Sequence, residues 1–493
     1  MLQQLDTADS VRREVAPRIA RQRKSELGQF MTPASVARFM AGMFVPGAER
    51  ACRLLDAGAG VGALSCAFLD RWQTGDFDFQ TVEVTAYEID GALRGYLEQH
   101  LGEYEGVRAE VIARDYIEAA TDGDLFTARQ AMGYTHAILN PPYKKIHGDS
   151  AHRRALRAVG IETVNLYSAF VALAVMQAAP GGQIVAIIPR SFCNGPYYRP
   201  FRDFLLERAA IRHMHLFQSR SKAFKDDQVL QENVIVRLER GGQQGPVAVS
   251  ISTDDRFDDL VMHEHPFDRI VFPNDPERFI HVPASPEKCA IELSPAVRHT
   301  LADLGIKVST GPVVDFRLKT HLRDMPGPGT APLLYPGHFS GSATTWPIEG
   351  MKKPNAIERN ADTEKWLYPS GFYCVVRRFS SKEEKRRIVA SVIEPMAFGD
   401  APVLGFENHL NLFHDNKHGL PEALARGLAV FLNTTAVDEQ FRRFNGHTQV
   451  NATDLRLMKY PSRDALIQLG QWAAQQEMLT QDRIDARLEA LAA

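Results

Sequence analysis

The chain has 493 residues, of which 44% are hydrophobic and 24% are charged, and its formal net charge at pH 7 is −3. This composition is typical of a globular protein, and a chain of this length can bury a large core without disulfides or structural metals. No apolar run of about 18 residues is present, which predicts a protein without membrane spans. The absence of a C-x-x-C pair predicts no metal site, and the charged N-terminal stretch without an apolar core predicts a cytoplasmic protein.

Apolar, β-rich runs alternate with helical stretches through the first half of the chain. Strands are predicted at 53–56, 82–87, 108–113, 134–139, 183–188, 211–217 and 233–238. Helices are predicted at 63–72, 91–101, 166–178 and 199–209. Alternation at this spacing predicts an α/β fold with a doubly wound, Rossmann-like sheet that carries helices on both faces.

A glycine-rich turn follows the first predicted strand, in residues 54–65 (LLDAGAGVGALS). Asp56 ends the strand, and Gly58 and Gly60 allow a ligand to approach the backbone where a helix begins with free N–H groups. A dinucleotide-binding turn and a plain tight loop are the alternatives. The G-A-G-V-G spacing differs from G-x-G-x-x-G, which disfavours an NAD-dependent dehydrogenase.

Acidic residues follow the next two predicted strands. Glu88 lies about 30 residues beyond the glycine turn, where a carboxylate can accept both hydroxyls of a ribose. Asp115 follows the third strand, where it can accept a hydrogen bond from an adenine amino group while Tyr116 or Ile117 packs on the ring. An ordinary acid at a strand end is the alternative for each of them.

The strongest motif lies in residues 137–145 (AILNPPYKK), where a predicted strand ends in Asn140, Pro141, Pro142 and Tyr143. Two prolines fix φ and remove N–H donors, so the loop is stiff. The Asn140 side-chain oxygen and the Pro141 carbonyl can then accept both hydrogens of an amino group, and Tyr143 offers a ring face for a planar base. A stiff surface turn is the alternative, which the position after the glycine turn disfavours.

Asn-Pro-Pro-Tyr with an upstream Asp-x-Gly-x-Gly turn resembles the amino-methyltransferase family, whose cofactor is S-adenosylmethionine. Residues 27–33 (LGQFMTP) resemble the family motif that touches the methionine end of that cofactor. This order of motifs resembles the gamma class of DNA adenine-N6 methyltransferases, in which a target-recognition domain follows the catalytic domain. The resemblance covers residues 20–240 well and implies the following sites. The implied cofactor-binding residues are Thr32, Pro33, Asp56, Gly58, Gly60, Glu88, Ile89, Asp115, Tyr116 and Asn140.

Two further segments place the chain near the PstI/BsuBI-like modification methylases of type II restriction–modification systems. Residues 216–236 resemble the family segment whose aromatic residue stacks on the extruded base, with Phe224 as the best match and Phe217 as its competitor. Residues 441–461 resemble the end of the recognition region. The implied catalytic residues are Asn140, Pro141, Pro142, Tyr143 and Phe224.

The stretch 240–246 (RGGQQGP) is the clearest predicted break in regular secondary structure in the middle of the chain. The region from about 290 onward is irregular and rich in Gly and Pro. The expected domains are a catalytic domain at 1–245, a less regular α+β target-recognition domain at 246–461, and a helical segment at 462–493. Basic residues of the second domain could contact phosphates, which position a protein on DNA without reading sequence, and a solvated helix face is the alternative. They are Arg377, Arg378, Lys382, Lys385, Arg386 and Arg387.

The resemblance implies a site-specific enzyme that methylates N6 of a flipped-out adenine in double-stranded DNA. It also implies that this enzyme is the modification enzyme of a restriction–modification system with a separately encoded cognate endonuclease. Methylation of cytosine N4, RNA guanine N2 or protein glutamine is an alternative. The asparagine of the motif favours adenine, since the cytosine class more often carries serine there. A non-catalytic DNA-binding subunit is a further alternative, but such a subunit would be expected to have lost Asn140 or Asp56, and both are present.

Overall fold

The computed structural model describes residues 4–16, 31–123, 133–218, 232–273, 275–283, 294, 296–340, 343–380, 384–445 and 449–492. The chain forms two compact units, Met1–Pro286 and Glu287–Ala493. No helix among the described residues is long and apolar enough to cross a membrane. The same residues contain no group of His, Cys, Asp and Glu side chains that could hold a metal ion.

Strands and helices alternate along the first unit, as the sequence predicts. Its strands are β1 (Ala51–Ala57), β2 (Thr81–Tyr87), β3 (Val107–Ile112), β4 (Tyr134–Leu139), β5 (Ala178–Pro189), β6 (Ala209–Phe217), β7 (Asn233–Arg240), β8 (Val247–Ser252) and β9 (Val261–His265). Its helices are α1 (Gln4–Val15), α2 (Ala34–Gly42), α3 (Ala63–Gln73), α4 (Gly91–Gly102), α5 (Tyr116–Thr121), α6 (Ala151–Ala158), α7 (Leu166–Gln177), α8 (Arg199–Arg208) and α9 (Phe267–Ile270).

The nine strands form one sheet in the order β3-β2-β1-β4-β5-β7-β6-β8-β9. The first five strands run parallel to one another, and β7 is antiparallel to both β5 and β6. The strand order reverses between β1 and β4. Open α/β sheets bind ligands beyond the carboxyl ends of the strands at such a reversal, so this topology sets where a site can form.

The central strands of the sheet are buried on both faces, which explains their nearly continuous apolar runs. Successive side chains of a strand point to opposite faces. Leu54 and Leu55 of β1 are both fully buried, and they belong to separate clusters. Leu54 packs in the cluster of Phe44 and Phe68, and Leu55 in that of Phe170. Burial of one such leucine stabilises the fold by roughly 1.5–3 kcal/mol.

The seven predicted strands and four predicted helices are all present, with bounds within two residues of the expected ones apart from the start of β5, and the boundary of the first unit also differs. Strand β5 begins at Ala178, directly after α7, although the sequence predicts a strand only from residue 183. The first unit also extends to residue 286, beyond the expected boundary at 245. After the 240–246 turn, β8 pairs parallel with β6 and β9 pairs antiparallel with β8, so both strands enlarge the same sheet.

Short strands dominate the first part of the second unit, and helices dominate its end. Its strands are β10 (Lys307–Thr310), β11 (Leu322–Arg323), β12 (Thr330–Leu334), β13 (Phe339–Ser340), β14 (Ala343–Thr344), β15 (Ala356–Glu358), β16 (Leu367–Pro369), β17 (Tyr373–Arg377), β18 (Ala390–Ile393), β19 (Val403–Phe406) and β20 (Leu410–His414). Its helices are α10 (Glu422–Leu432), α11 (Thr435–Phe444), α12 (Ala452–Leu457), α13 (Arg463–Ala474) and α14 (Gln481–Ala492).

Three sheets are present in the described part of this unit: β10-β20-β17-β18, β11-β15-β12-β19-β16 and the pair β13-β14. Helices α10 and α13 cross at two glycines. A Cβ atom added to Gly427 would lie 1.8 Å from the Leu466 carbonyl oxygen, and one added to Gly470 would lie 1.7 Å from that of Ala423. Because no side chain fits in such a gap, glycine is required at both positions.

The basic stretch expected to contact phosphates is in large part structural. Arg387 is 1% exposed and donates to the Ser380 hydroxyl and the Asn445 side-chain oxygen. Arg386 donates to the Thr434 carbonyl and to Gln481. The expectation is therefore wrong for Arg387, whose buried guanidinium holds the unit together and is out of reach of a phosphate. Lys382 lies outside the described residues.

Candidate active site

A cavity of about 340 Å³ opens in the first unit at the carboxyl ends of the strands around the β1–β4 reversal. Nine of the predicted site residues line it. They are Thr32, Gly58, Gly60, Glu88, Ile89, Asp115, Tyr116, Asn140 and Pro142. The sequence distributes these residues over more than 100 positions, and parallel strand pairing brings their strand ends to one edge of the sheet.

The glycine turn forms one wall of the cavity. Gly58 and Gly60 have φ values of +82° and +59°, in the left-handed region that other residues rarely adopt. A Cβ atom on Gly58 would lie 3.9 Å from the Asn140 carbonyl oxygen, and one on Gly60 would meet no atom within 4 Å. The turn therefore leaves open space beside the backbone, with the Asn140 loop facing it.

Asp56 supports this turn from behind. It is fully buried, is not among the residues that line the cavity, and accepts the Ser65 hydroxyl at 2.7 Å through Oδ2. Ser65 lies in the first turn of α3, so this bond ties the end of β1 to the start of the helix. Burial raises the pKa of Asp56 to about 7.

Glu88 joins the end of β2 to the glycine turn. Its Oε2 accepts the backbone N–H of Gly60 at 2.8 Å, and its Oε1 accepts that of Asp90 at 2.7 Å. Burial raises the pKa of Glu88, and the two backbone N–H groups oppose that effect by stabilising the carboxylate. A buried carboxylate fixed on both oxygens and facing a cavity is suited to accept neighbouring hydroxyl groups of a ligand.

Asp115 lies on the cavity wall at the start of α5. It accepts the backbone N–H of Glu118 at 3.0 Å as the helix N-cap, and Nε2 of His152 lies 3.3 Å from its Oδ1. Burial acts to raise the pKa of Asp115, but the contacts with His152 and the backbone outweigh it and lower the pKa. His152 lies on α6 and also lines the cavity.

Aromatic and aliphatic side chains complete the wall next to Asp115. The Tyr116 hydroxyl donates to the Gln177 side-chain oxygen at 2.9 Å, and its ring lies 5.0 Å from that of Phe170. Ile89 lines the cavity and is 48% exposed. Ile117, the alternative to Tyr116 for packing on a ligand ring, is fully buried in the core.

Asn140 lines the cavity directly after β4, at the position that the motif predicts. Its Nδ2 donates to the Thr32 hydroxyl oxygen at 2.9 Å. The Tyr143 hydroxyl lies 3.3 Å from Asn140 Oδ1 and 3.2 Å from the Ile187 carbonyl oxygen. These contacts join the Asn-Pro-Pro-Tyr loop to the segment before α2 and to β5.

Several predicted residues lie elsewhere. Pro33, Pro141 and Tyr143 are not among the residues that line the cavity, and the half-buried Tyr143 ring packs edge-on against Tyr167 at 6.2 Å. Phe224 lies outside the described residues. Its competitor Phe217 is 3% exposed and packs in the core, 4.7 Å from the His215 ring. Phe217 is therefore not placed to stack on a ligand.

His152 lines the cavity, although no motif in the sequence marks it as a site residue. It lies on an amphipathic helix 12 residues beyond Asn140, and no pattern in the sequence links it to Asp115. The two meet because α5 and α6 pack together. Lys144 and Lys145 follow the motif and also line the cavity, which gives its mouth two positive charges.

The chemistry of this cavity fits a nucleoside-type ligand. One buried carboxylate and one N-capping carboxylate stand beside a glycine turn with open space, and Tyr116, Phe170 and Ile89 provide an apolar wall. The volume falls in the range of small-molecule sites, roughly 300–1,000 Å³. These residues are consistent with the expected binding of S-adenosylmethionine.

Comparison with known proteins gives matches along the whole chain. A model of the Eco57I restriction-modification methylase family matches residues 87–224. The chain is 54% identical to the type II methyltransferase M.BsuBI of Bacillus subtilis, over 100% of this chain and 98% of that protein. It is 42% identical to the type II methyltransferase M.PstI of Providencia stuartii, over 93% of this chain and 91% of that protein.

Among solved structures, the cryo-EM structure of a DrdV–DNA complex has a similar fold. The match covers 95% of this chain and 59% of that chain, with a TM-score of 0.51 and 13% sequence identity. At this identity the likeness concerns the fold alone.

Proposed function

The chain belongs to the family of type II methyltransferases that includes M.BsuBI and M.PstI, and we propose that it transfers a methyl group from S-adenosylmethionine to N6 of adenine in double-stranded DNA. We also propose that it is the modification enzyme of a restriction–modification system whose endonuclease is a separate chain. The 54% identity to a type II methyltransferase over the whole chain supports both proposals.

One observation carries the assignment of an amino group as the target. The Asn-Pro-Pro-Tyr loop lies at the carboxyl end of β4, and Asn140 and Pro142 line the same cavity as the glycine turn and Glu88. A group held by Asn140 would therefore lie close to a ligand held by Glu88 and Asp115. Serine is more frequent than asparagine at this position in enzymes that methylate cytosine N4, which favours adenine.

The amino group of adenine is a poor nucleophile because its lone pair is delocalised into the ring. The Asn140 side-chain oxygen and the Pro141 carbonyl would accept its two hydrogens, which favours a pyramidal nitrogen whose lone pair points into the cavity. S-adenosylmethionine supplies the electrophilic methyl group. The nitrogen would bond to this methyl group as the methyl–sulfur bond breaks, S-adenosylhomocysteine would leave, and one proton would pass from the nitrogen to solvent. Because the chain's residues form no covalent bond in this step, positioning and electrostatics provide most of the acceleration.

The target nitrogen is inaccessible inside a duplex, so we propose that the enzyme flips the base out of the helix at a cost of a few kcal/mol. Stacking on an aromatic ring offsets about 1–3 kcal/mol per base. We propose that Tyr143 and Phe224 provide this stacking. The half-buried Tyr143 ring follows Asn140 by three residues, which supports its part in this proposal.

We propose that residues 246–461 select the DNA sequence, with most of this region in the second unit. An exposed aromatic cluster supports this assignment. Phe379 is 42% exposed, and its ring lies 4.7 Å from that of His409. Arg378 beside it donates to Gln449, within the segment that resembles the end of a recognition region.

The decisive test is methylation of unmethylated genomic DNA by the purified protein and S-adenosylmethionine, read by single-molecule sequencing. N6-methyladenine at one short motif is the expected result. Asn140→Ala should abolish transfer and retain cofactor binding, whereas a surface amide variant, Gln80→Ala, should behave as wild type.

Three results would contradict the proposal. N4-methylcytosine would change the target base. No modified base despite cofactor binding would point to RNA or protein as the substrate. Near-normal turnover by Asn140→Ala would refute the role of the motif.

A further inference from the structure

A hydrogen bond across the cavity joins Asn140 to a residue 108 positions earlier in the chain. Asn140 Nδ2 donates to the Thr32 hydroxyl oxygen at 2.9 Å. Thr32 is 5% exposed and lines the same cavity. Because this part-buried bond joins two side chains that face a ligand cavity, it affects the orientation of the Asn140 amide as well as the stability of the fold.

The orientation of Asn140 decides whether its side chain can hold an amino group. A carboxamide has an acceptor end and a donor end of similar shape. If the amide were rotated by 180° about its terminal torsion, Nδ2 would present N–H groups to the hydrogens of the substrate, and the interaction would be repulsive. Capture of an amino group therefore requires Oδ1 to stay on the substrate side.

Two contacts of Asn140 agree on one orientation. The Thr32 oxygen accepts from Nδ2, and the Tyr143 hydroxyl donates to Oδ1 at 3.3 Å, sharing its proton with the Ile187 carbonyl oxygen at 3.2 Å. A rotated amide would place Oδ1 opposite the Thr32 oxygen and Nδ2 opposite the Tyr143 hydroxyl. In the rotated amide the Thr32 hydroxyl could donate to Oδ1. Thr32 therefore favours the observed orientation most strongly when its hydroxyl proton is donated to a group other than Asn140.

We propose that Thr32 is a positioning residue that holds the Asn140 carboxamide with its oxygen toward the target amino group, an inference that rests on the proposed function. Thr32 then acts through Asn140, in addition to the contact with the cofactor that the family resemblance implies. The segment before α2 thereby contributes directly to the chemistry at the end of β4.

Thr32→Val tests this proposal because valine keeps the shape of threonine and removes the hydroxyl. We expect kcat to fall about 10- to 100-fold, the effect of a misplaced catalytic group. The Kd for S-adenosylmethionine, measured by calorimetry, should rise by a smaller factor than kcat falls, since Glu88 and Asp115 still line the cavity and only one hydroxyl contact is lost. Thr32→Ser should restore most of the lost activity.

A spectroscopic readout separates positioning from a general structural effect. With asparagine-selective ¹⁵N labelling, the side-chain amide signal that disappears in Asn140→Asp identifies Asn140. Thr32→Val should shift this signal or accelerate its hydrogen exchange, and Thr32→Ser should not. Thr74→Val is the matched control, because the Thr74 hydroxyl donates to the Arg71 carbonyl at an exposed helix end outside the cavity.

Two results would overturn the proposal. One is a kcat within twofold of wild type for a folded Thr32→Val with an unchanged Asn140 signal. The other is a loss confined to cofactor affinity, which would make Thr32 a cofactor contact alone. Failure of the proposed function is distinguishable, because the wild-type protein would then leave adenine unmodified while the amide signal could still be measured.

Discussion

Replacement of Asp56 by asparagine should change the pH dependence of stability of the first unit. Asp56 is fully buried, and its Oδ1 has no hydrogen-bond partner among the described residues. Burial raises its pKa from 3.8 to about 7, although hydrogen bonds from Ser65 favour the ionised form. Ionisation of the Asp56 carboxylate therefore lowers the stability of the folded state.

The size of this cost follows from the two pKa values. They differ by about 3, and each unit corresponds to about 1.36 kcal/mol, so ionised Asp56 lowers stability by about 4 kcal/mol. Between about pH 4 and pH 7 the unfolded chain binds fewer protons at this residue than the folded protein does. Stability therefore falls with rising pH across this window and is level above it.

Asparagine is neutral throughout this range, so it removes the pH-dependent cost. Its amide N–H groups would occupy the position of the unpartnered oxygen, and an unsatisfied buried donor costs about 1–3 kcal/mol. We therefore expect Asp56→Asn to be less stable than wild type near pH 4, and of similar or greater stability above pH 7.

Thermal unfolding of both proteins from pH 4 to pH 8 measures this difference. For a unit of this size, about 2–4 °C in Tm corresponds to 1 kcal/mol. The exposed Asp78→Asn is the matched control and should show no comparable trend, since the Asp78 side chain is 79% exposed. A Tm difference between wild type and Asp56→Asn that stays constant across this range would refute the reasoning.

Three further changes have expected outcomes. Gly427→Ala should lower the stability of the second unit by about 1–3 kcal/mol in thermal unfolding, because its Cβ atom would overlap a carbonyl oxygen of the facing helix. Gly327→Ala is the control and should have little effect, since a Cβ atom there would meet no atom within 4 Å. Equal melting temperatures for the two variants would contradict this expectation. Glu88→Gln should weaken binding of S-adenosylmethionine about 10- to 100-fold in calorimetry, since a charged acceptor is lost, and an unchanged Kd would exclude Glu88 from the cofactor site. The hydrogen bond to Asp115 raises the pKa of His152, so its stabilising contribution is complete well below pH 6.5 and is lost as pH rises through the folded-state pKa. His152→Ala should therefore cost up to about 1 kcal/mol near pH 5.5 and less near pH 8, and a larger loss at the higher pH would show the opposite sign.

Local patterns in the sequence predict the catalytic fold well. The buried strands β1 and β4 are short apolar runs, and each is followed by a loop whose residue types indicate its role. The glycine turn after β1 and the Asn-Pro-Pro-Tyr loop after β4 are of this kind. Parallel pairing then brings all strand ends to one edge, so a correct prediction of strands also predicts which residues share the cavity.

The tertiary structure alone decides the contacts that orient these residues. Thr32 meets Asn140 and His152 meets Asp115 because separate segments pack together, and no spacing in the sequence encodes either pair. The basic stretch around Arg387 shows the converse case, since a run of charges has the same sequence whether it faces solvent or a buried partner. Burial depends on what packs against a residue from distant parts of the chain, which the local sequence does not specify.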